Sequence, residues 1–389
     1  MTLSDPGVRP VVQSFPPTGE PMVDRPRRQR NVTRTMVLEM VGPAVAALAC
    51  VWVGFGLAGV NAPFGFAVSW FAGFVTLFGI LCWRLHGVLA MKDRLATVAI
   101  WSGALVALFT LGAVIGYVIL KGFSAVVTNF PHFLTGDMSA LGATSKITDL
   151  GVGAAIVGTV EQVAIATVIT VPLGIMTATY LVGSNGLFAR VVSAVVDAMT
   201  GAPAIIAGLF IYLLWVVPNK ENGKSGFAAA LALAVMMLPI VTRAAQEVVA
   251  IVPGSLREAA LALGAPEWRV LLRVVLPTAR AGLMTAVILG VARIAGETAP
   301  VLFNAGGFEK YNWNPFSGQQ DDLPFRIYEN IFQPGAVIQQ SAWGTSLVLV
   351  VVVLILFLTA RMLGKSSAGR RSFVPWAARR QRNGGSDAY

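Results

Sequence analysis

Long runs of apolar residues, separated by short polar segments, occupy most of this 389-residue chain. The hydrocarbon core of a bilayer is about 30 Å thick, and about 20 apolar residues in a helix cross it. Because eight runs approach or exceed that length, the pattern predicts eight membrane-spanning helices. They lie at residues 36–60, 64–83, 97–120, 152–182, 198–218, 226–251, 278–303 and 342–363.

The composition also indicates a membrane protein. Hydrophobic residues make up 56% of the chain and charged residues 12%, whereas soluble proteins carry about 25% charged residues. Two cysteines are too few for a secreted disulfide scaffold. The net charge of +10 could suit a nucleic-acid partner, but the basic residues stand at the chain ends and in alternate loops, without interleaved aromatic residues. We therefore expect a lipid bilayer as the surroundings and no nucleic-acid partner.

The distribution of Lys and Arg predicts the orientation. With a cytoplasmic N-terminus, 22 of the 29 Lys and Arg residues fall in cytoplasmic segments, six in outer segments and one, Arg293, inside a span. Cytoplasmic loops carry an excess of positive charge, so we expect both termini in the cytoplasm. The predicted regions are a disordered basic cytoplasmic arm at 1–35, two N-terminal transmembrane helices at 36–83, the main transmembrane domain at 84–366 and a basic cytoplasmic tail at 367–389.

The predicted outer loop at 304–341 is long, polar and aromatic. It includes Asn304, Tyr311, Asn312, Trp313, Asn314, Gln319, Gln320, Asp321, Asp322 and Tyr328. Such a loop is either a solvated lid or a surface that faces a partner or covers the mouth of a pathway. The sequence leaves these alternatives open.

The cytoplasmic segment 252–277 predicts two short amphipathic helices joined by a glycine turn. Ser255 is a candidate N-cap, with Glu258 three residues later closing a capping box, and Gly264 is a candidate C-terminal residue. A second short helix would begin near Pro266. Periodicity alone would also fit an interfacial helix lying on the lipid headgroups.

The same segment resembles the EAA loop of ABC importer permeases. The residues that carry the resemblance are Glu258-Ala259-Ala260, Gly264, Val274 and Leu276-Pro277, with Val274 in place of the usual Ile. The resemblance implies a coupling helix at about 255–264 that docks into a separate ATPase subunit and passes on its motion. The residues expected to make this coupling are Leu256, Glu258, Ala259, Ala260, Leu263 and Gly264.

Three ionisable residues lie inside predicted spans: Glu161, Arg293 and Glu297. Each costs about 2.5–3.5 kcal/mol at the centre of a membrane helix, so each needs a partner or a polar path. Arg293 and Glu297 are four residues apart and share a helix face. They form either a structural ion pair or an anion site on a translocation path. Glu161, followed by Gln162, is either a path residue or a hydrogen-bonding residue in helix packing.

The segment Arg293-Ile294-Ala295-Gly296-Glu297-Thr298-Ala299-Pro300 resembles the signature of the PstA family of phosphate permeases. The resemblance covers about residues 97–363. It implies an all-α integral membrane protein with the six-helix core of a type I ABC importer permease, preceded by two extra N-terminal transmembrane helices. We expect the substrate path to include Arg293, Glu297, Thr298, Glu161 and Gln162.

The resemblance further implies the membrane-spanning subunit of an ATP-driven inorganic phosphate importer in the prokaryotic plasma (inner) membrane. The implied partners are a PstC-type permease, a PstB-type ATPase dimer and a PstS-type extracytoplasmic phosphate-binding protein. ATP and Mg would bind to the ATPase subunits, with no cofactor in this chain. A permease for another oxyanion, or an ion-coupled secondary anion transporter, is the alternative.

The chain is not expected to hydrolyse ATP itself. A P-loop requires a glycine five residues before its Gly-Lys-Ser/Thr triplet, where backbone N–H groups cradle phosphates. The triplets at 223–225 and 364–366 have Pro218 and Thr359 at that position. The two histidines, His86 and His132, fall on opposite sides of the predicted membrane. We therefore expect no catalytic residue and no metal site.

Overall fold

The computed structural model describes residues 34–59, 62–139, 146–220 and 223–365, and it is almost entirely helical in these ranges. The helices are α1 (Arg34–Ala58), α2 (Pro63–Thr128), α3 (His132–Thr135), α4 (Gly153–Gly183), α5 (Leu187–Gly201), α6 (Ala204–Ile211), α7 (Val217–Asn219), α8 (Gly226–Ala250), α9 (Gly254–Ala262), α10 (Glu267–Val270), α11 (Leu276–Ile294), α12 (Ala299–Leu302), α13 (Leu323–Phe332) and α14 (Ala336–Lys365). Two π-helical turns, Tyr212–Val216 and Leu271–Val275, join α6 to α7 and α10 to α11. Nearly all of the predicted arm, and the predicted tail, lie outside the described residues.

The chain divides into two units, at residues 1–110 and 111–389. In the first unit, α2 reverses direction at Gly87, whose φ of 81° and ψ of 175° are not helical. A Cβ atom on Gly79 would lie 3.4 Å from the Leu95 side chain, although a straight helix would hold these residues about 24 Å apart. The residues between the predicted spans 64–83 and 97–120 are therefore helical too, and the chain turns between the two spans at a single glycine.

Polar contacts fasten α1 to both arms of this hairpin. The Arg94 guanidinium pairs with the Glu39 carboxylate of α1 and lies 3.4 Å from Nε2 of His86. Nearer the other end, Trp70 Nε1 donates to the Ala44 carbonyl at 3.0 Å. The two extra N-terminal helices are therefore held together by specific side-chain contacts.

In the second unit, two predicted spans have different bounds. The run expected at 198–218 is broken, because α5 and the helical stretch Ala204–Asn219 meet at 110° around Pro203, which lacks a backbone N–H. The span expected at 278–303 begins and ends earlier, since Glu267–Ile294 is one candidate span. The second short helix expected near Pro266 is therefore the first part of that span.

Helices α4 and α8 form the centre of the second unit. Alanines of α8 are buried, and a Cβ atom on Gly174 of α4 would lie 3.0 Å from Val241 of α8. Small residues let membrane helices approach closely. One hydrophobic cluster joins α4 and α8 to α11 and α12 through Val163, Met237 and Ile294.

The segment at 304–332 runs from α12 to the end of α13. It is here called the outer strap, after the side of the membrane on which the sequence predicts it. Its turns are held by hydrogen bonds, including Asn312 Nδ2 to the Ser317 carbonyl at 2.9 Å. Within the described residues, its β structure is limited to one isolated bridge, Gly306 to Gln320. Of the alternatives that the sequence left open for this loop, a solvated lid does not describe its second half, because Gln320, Asp321 and Arg326 are buried.

Candidate functional site

The predicted ion pair of Arg293 and Glu297 lies where α11 ends. Nη2 of Arg293 is 3.3 Å from Oε1 of Glu297. Because α11 ends at Ile294, Glu297 stands just beyond the helix, with its backbone N–H bonded to the Ile294 carbonyl at 3.1 Å. The Arg293 side chain is 60% exposed and the Glu297 side chain 19%. The arginine therefore has an accessible guanidinium, whereas the glutamate is mostly covered.

Arg293 opens into a pocket of about 770 Å³. The pocket lies at the corner between α5 and α6, against α8. Its other lining residues are Met199, Thr200, Ala202, Pro203, Ala204, Ile206, Ala207, Phe210, Val235, Met236, Pro239 and Ile240. Among these described residues, Arg293 supplies the charged side chain. The first residue of α6, Ala204, lies in the same wall, and backbone N–H groups at a helix start favour anions.

Glu161 and Gln162 make their side-chain contacts with the outer strap and not with the Arg293–Glu297 pair. Oε2 of Glu161 accepts from Nε2 of Gln320 at 2.6 Å, and Nε2 of Gln162 donates to Oε1 of Gln320 at 3.2 Å. Both residues thus bind the outer strap, and their place on a substrate path stays a prediction. Thr298 lies at the start of α12, where its carbonyl accepts from the N–H groups that open that helix.

The predicted coupling helix is α9, Gly254–Ala262, and it buries none of its residues. The predicted capping box is wrong, because Pro253 holds the N-cap position and no side chain caps the helix. The predicted glycine end is confirmed: Gly264 has φ 78°, and its N–H bonds to the Leu261 carbonyl while that of Ala265 bonds to Ala260. This is a Schellman motif, which favours glycine at that position.

The exposed surface of α9 is partly apolar. Leu263 is 89% exposed and Leu256 is also exposed, while Ala260 packs against the cluster that includes Val249 and Val275. One side of this short helix packs on the rest of the protein and the other side is exposed to solvent. Such a helix can bind a partner while it stays attached to the ends of α8 and α11.

Comparison with known proteins places this architecture in a family. Residues 170–368 match the family model described as "Binding-protein-dependent transport system inner membrane component". This chain belongs to that permease family. It is therefore a multi-pass, all-α membrane protein and a transport subunit rather than an ATPase, as the sequence predicted.

The matches between this permease and its curated relatives cover most of each relative's length. "Phosphate transport system permease protein PstA 1" of Mycobacterium tuberculosis is 38% identical over 73% of this chain and 91% of the relative. PstA of Mycobacterium leprae is 39% identical over 68% of this chain and 85% of the relative. A solved structure of the MetNI methionine ABC transporter, inward facing, is 21% identical over 55% of this chain and 93% of its own, with a TM-score of 0.44.

A buried ionic cluster in the outer strap of this permease was missed by the sequence analysis. Arg326 is fully buried, with Nε 2.7 Å from Oδ2 of Asp321 and Nη1 3.0 Å from Oε2 of Glu329. Asp322 caps α13, because Oδ1 accepts from the Phe325 N–H at 2.8 Å. An aspartate followed by Leu-Pro is a helix-start signal that could have revealed α13.

Burial raises the pKa values of Asp321 and Asp322 and so determines which of them is protonated. It raises the pKa of Asp321 to about 6 although Arg326 opposes the shift, and it raises the pKa of Asp322 to about 8. Taking a carboxylate out of water disfavours its charged form. At neutral pH, Asp321 is therefore the ionised partner of Arg326, and Asp322 is mainly protonated.

Proposed function

We propose that this chain is the PstA-type permease subunit of an ATP-driven importer of inorganic phosphate. The observation that carries the proposal is the match to phosphate permeases over about nine-tenths of a relative's length. The pocket at Arg293 supports it independently, because an exposed guanidinium inside the transmembrane region suits an anionic substrate.

The chemistry of Arg293 fits phosphate. A guanidinium stays charged at physiological pH, and its planar fork binds two phosphate oxygens at once. The start of α6 adds a favourable electrostatic contribution in the same pocket. The remaining lining is apolar or a single hydroxyl, Thr200, so the site would hold an anion weakly enough to release it.

Glu297 supplies a reason for selectivity. At neutral pH, inorganic phosphate carries at least one proton and sulfate carries none. A carboxylate beside Arg293 can accept a hydrogen bond from the protonated anion and repels the unprotonated one. We therefore expect Glu297→Gln to relax discrimination against sulfate in competition assays of labelled phosphate uptake. Unchanged discrimination in a folded variant would contradict this role.

The implied assembly places each partner on a different surface. A PstC-type permease would complete the translocation path, and a PstB-type ATPase dimer, holding ATP and Mg, would receive α9. A PstS-type binding protein would dock on the outer segments, including the strap. The whole complex would lie in the plasma (inner) membrane of a prokaryote, with both termini of this chain in the cytoplasm. The exposed leucines of α9 and the exposed Trp313 support these assignments.

The test is labelled phosphate uptake by vesicles that hold the assembled complex, with ATP hydrolysis recorded in parallel. Arg293→Ala should lower phosphate uptake about 10- to 100-fold, because it removes charge-assisted hydrogen bonds to the anion worth about 1.5–3 kcal/mol. Arg293→Lys should recover part of it, and Arg280→Ala on the same helix is the matched control. Full uptake by Arg293→Ala would exclude the anion role, and uptake driven by an ion gradient without ATP would favour a secondary transporter.

A further inference from the structure

One buried amide side chain, that of Gln320, makes several of the bonds that join the outer strap to the core. Gln320 is 1% exposed, and its Nε2 donates to Oε2 of Glu161 and to the Asn312 carbonyl at 2.6 and 3.1 Å. Its Oε1 accepts from Gln162, and its backbone N–H donates to Ala305 at 3.0 Å. The side chain and backbone of Gln320 together connect α4 with two turns of the strap, and moving this residue into solvent would break all of these bonds.

Two glycines show how tightly the strap fits. A Cβ atom on Gly158 of α4 would lie 1.9 Å from the carbonyl oxygen of Asp321, and one on Gly226 of α8 would lie 1.9 Å from Oε1 of Gln320. No side chain larger than hydrogen fits at either position without moving the strap. Residues 320–321 therefore rest directly on α4 and on the first turn of α8.

The start of α13 is held to the same helix. Leu323 is fully buried in a cluster with Val152, which immediately precedes α4, and Ala155 of α4. Its N–H donates to Oγ1 of Thr159 at 2.8 Å. On the strap itself, Arg326 holds Asp321 in place. The contacts of the strap with α4 are therefore apolar and hydrogen-bonded, and an ion pair within the strap lies a few residues from them.

From these contacts we infer that the outer strap is a fixed part of the α4–α8 core and not a lid that lifts during transport. The inference rests on the proposed transport function for its consequence. Since α8 also lines the Arg293 pocket, the strap and that wall of the pocket move as one body. The outward opening then forms along another face of this chain, and the exposed Trp313 moves with the pocket wall.

A disulfide between strap and core tests this directly. Thr159→Cys and Leu323→Cys are introduced together in a chain with Cys50→Ala and Cys82→Ala, and the full complex is reconstituted in vesicles. Thiol titration measures closure of the disulfide, and each single cysteine variant is the matched control. We expect the oxidised pair to transport phosphate as fast as its reduced form. Loss of uptake on oxidation, restored by dithiothreitol, would overturn the inference.

Hydrogen exchange on the unmodified complex answers the same question if that variant does not fold. The amides of Leu323, Phe325 and Arg326, which donate within the strap or to α4, should exchange equally slowly with and without ATP turnover. Faster exchange confined to turnover would mean that the strap lifts. If the wild-type complex carried no phosphate, the proposed function would fail while this measurement still decided whether the strap moves.

Discussion

Replacing Asp321 by alanine should loosen the outer strap strongly. The change leaves the guanidinium of Arg326, which is fully buried, without its 2.7 Å partner. Breaking a buried ion pair from one side costs about 3–5 kcal/mol. Glu329 remains at 3.0 Å and Glu309 at 3.8 Å, both more than 40% exposed, so we expect a value at the lower end, about 3 kcal/mol.

Hydrogen exchange of the strap amides in the purified complex measures this cost. A loss of about 3 kcal/mol in local opening corresponds to exchange about 10²-fold faster. The matched control is Glu329→Ala, which removes a partly solvated partner of the same arginine and should cost less than about 1 kcal/mol. The double variant Asp321→Leu with Arg326→Met should recover most of the protection, because apolar residues replace a buried pair well. Equal effects of the two single alanine variants would refute the reasoning.

Three further predictions concern pH and two glycines. The pKa of Asp322 is raised from 3.8 to about 8, so its contribution to strap stability is complete below about pH 4 and is lost as the pH rises through 8. Hydrogen exchange of the strap amides, corrected for the intrinsic rate, should therefore become faster from pH 7 to 9, and Asp322→Asn should abolish this increase. Gly87→Ala, at φ 81° and ψ 175°, should cost about 1–3 kcal/mol and lower the thermal unfolding midpoint, whereas Gly103→Ala, with open space around it, should not. Gly264→Ala, at φ 78°, should cost about 1–2 kcal/mol and weaken binding of ATPase subunits, whereas Gly254→Ala should leave binding unchanged.

Features that depend on short stretches of chain followed directly from the sequence. The long apolar runs predicted most of the spans, because the bilayer thickness fixes how many residues a helix needs. Gly264 was predicted as the end of the short helix α9, because a left-handed residue at that position favours glycine. The proximity of Arg293 and Glu297 was expected from their separation of four residues on one helix face, although α11 ends at Ile294 and Glu297 lies in the turn that follows. None of these depends on a distant part of the chain.

Features that depend on distant contacts were decided by the tertiary structure. Gln320 and Asp321 are polar residues of the kind found in solvated loops, yet they are buried. The reason lies more than 150 residues earlier on α4, where the Glu161 carboxylate accepts a hydrogen bond from Gln320 and Gly158 leaves room for the Asp321 backbone. The 110° corner between α5 and α6 creates the pocket in which Arg293 is accessible. A polar residue in a sequence can be solvated or paired in the interior, and only the folded partners that surround it determine which state has the lower free energy.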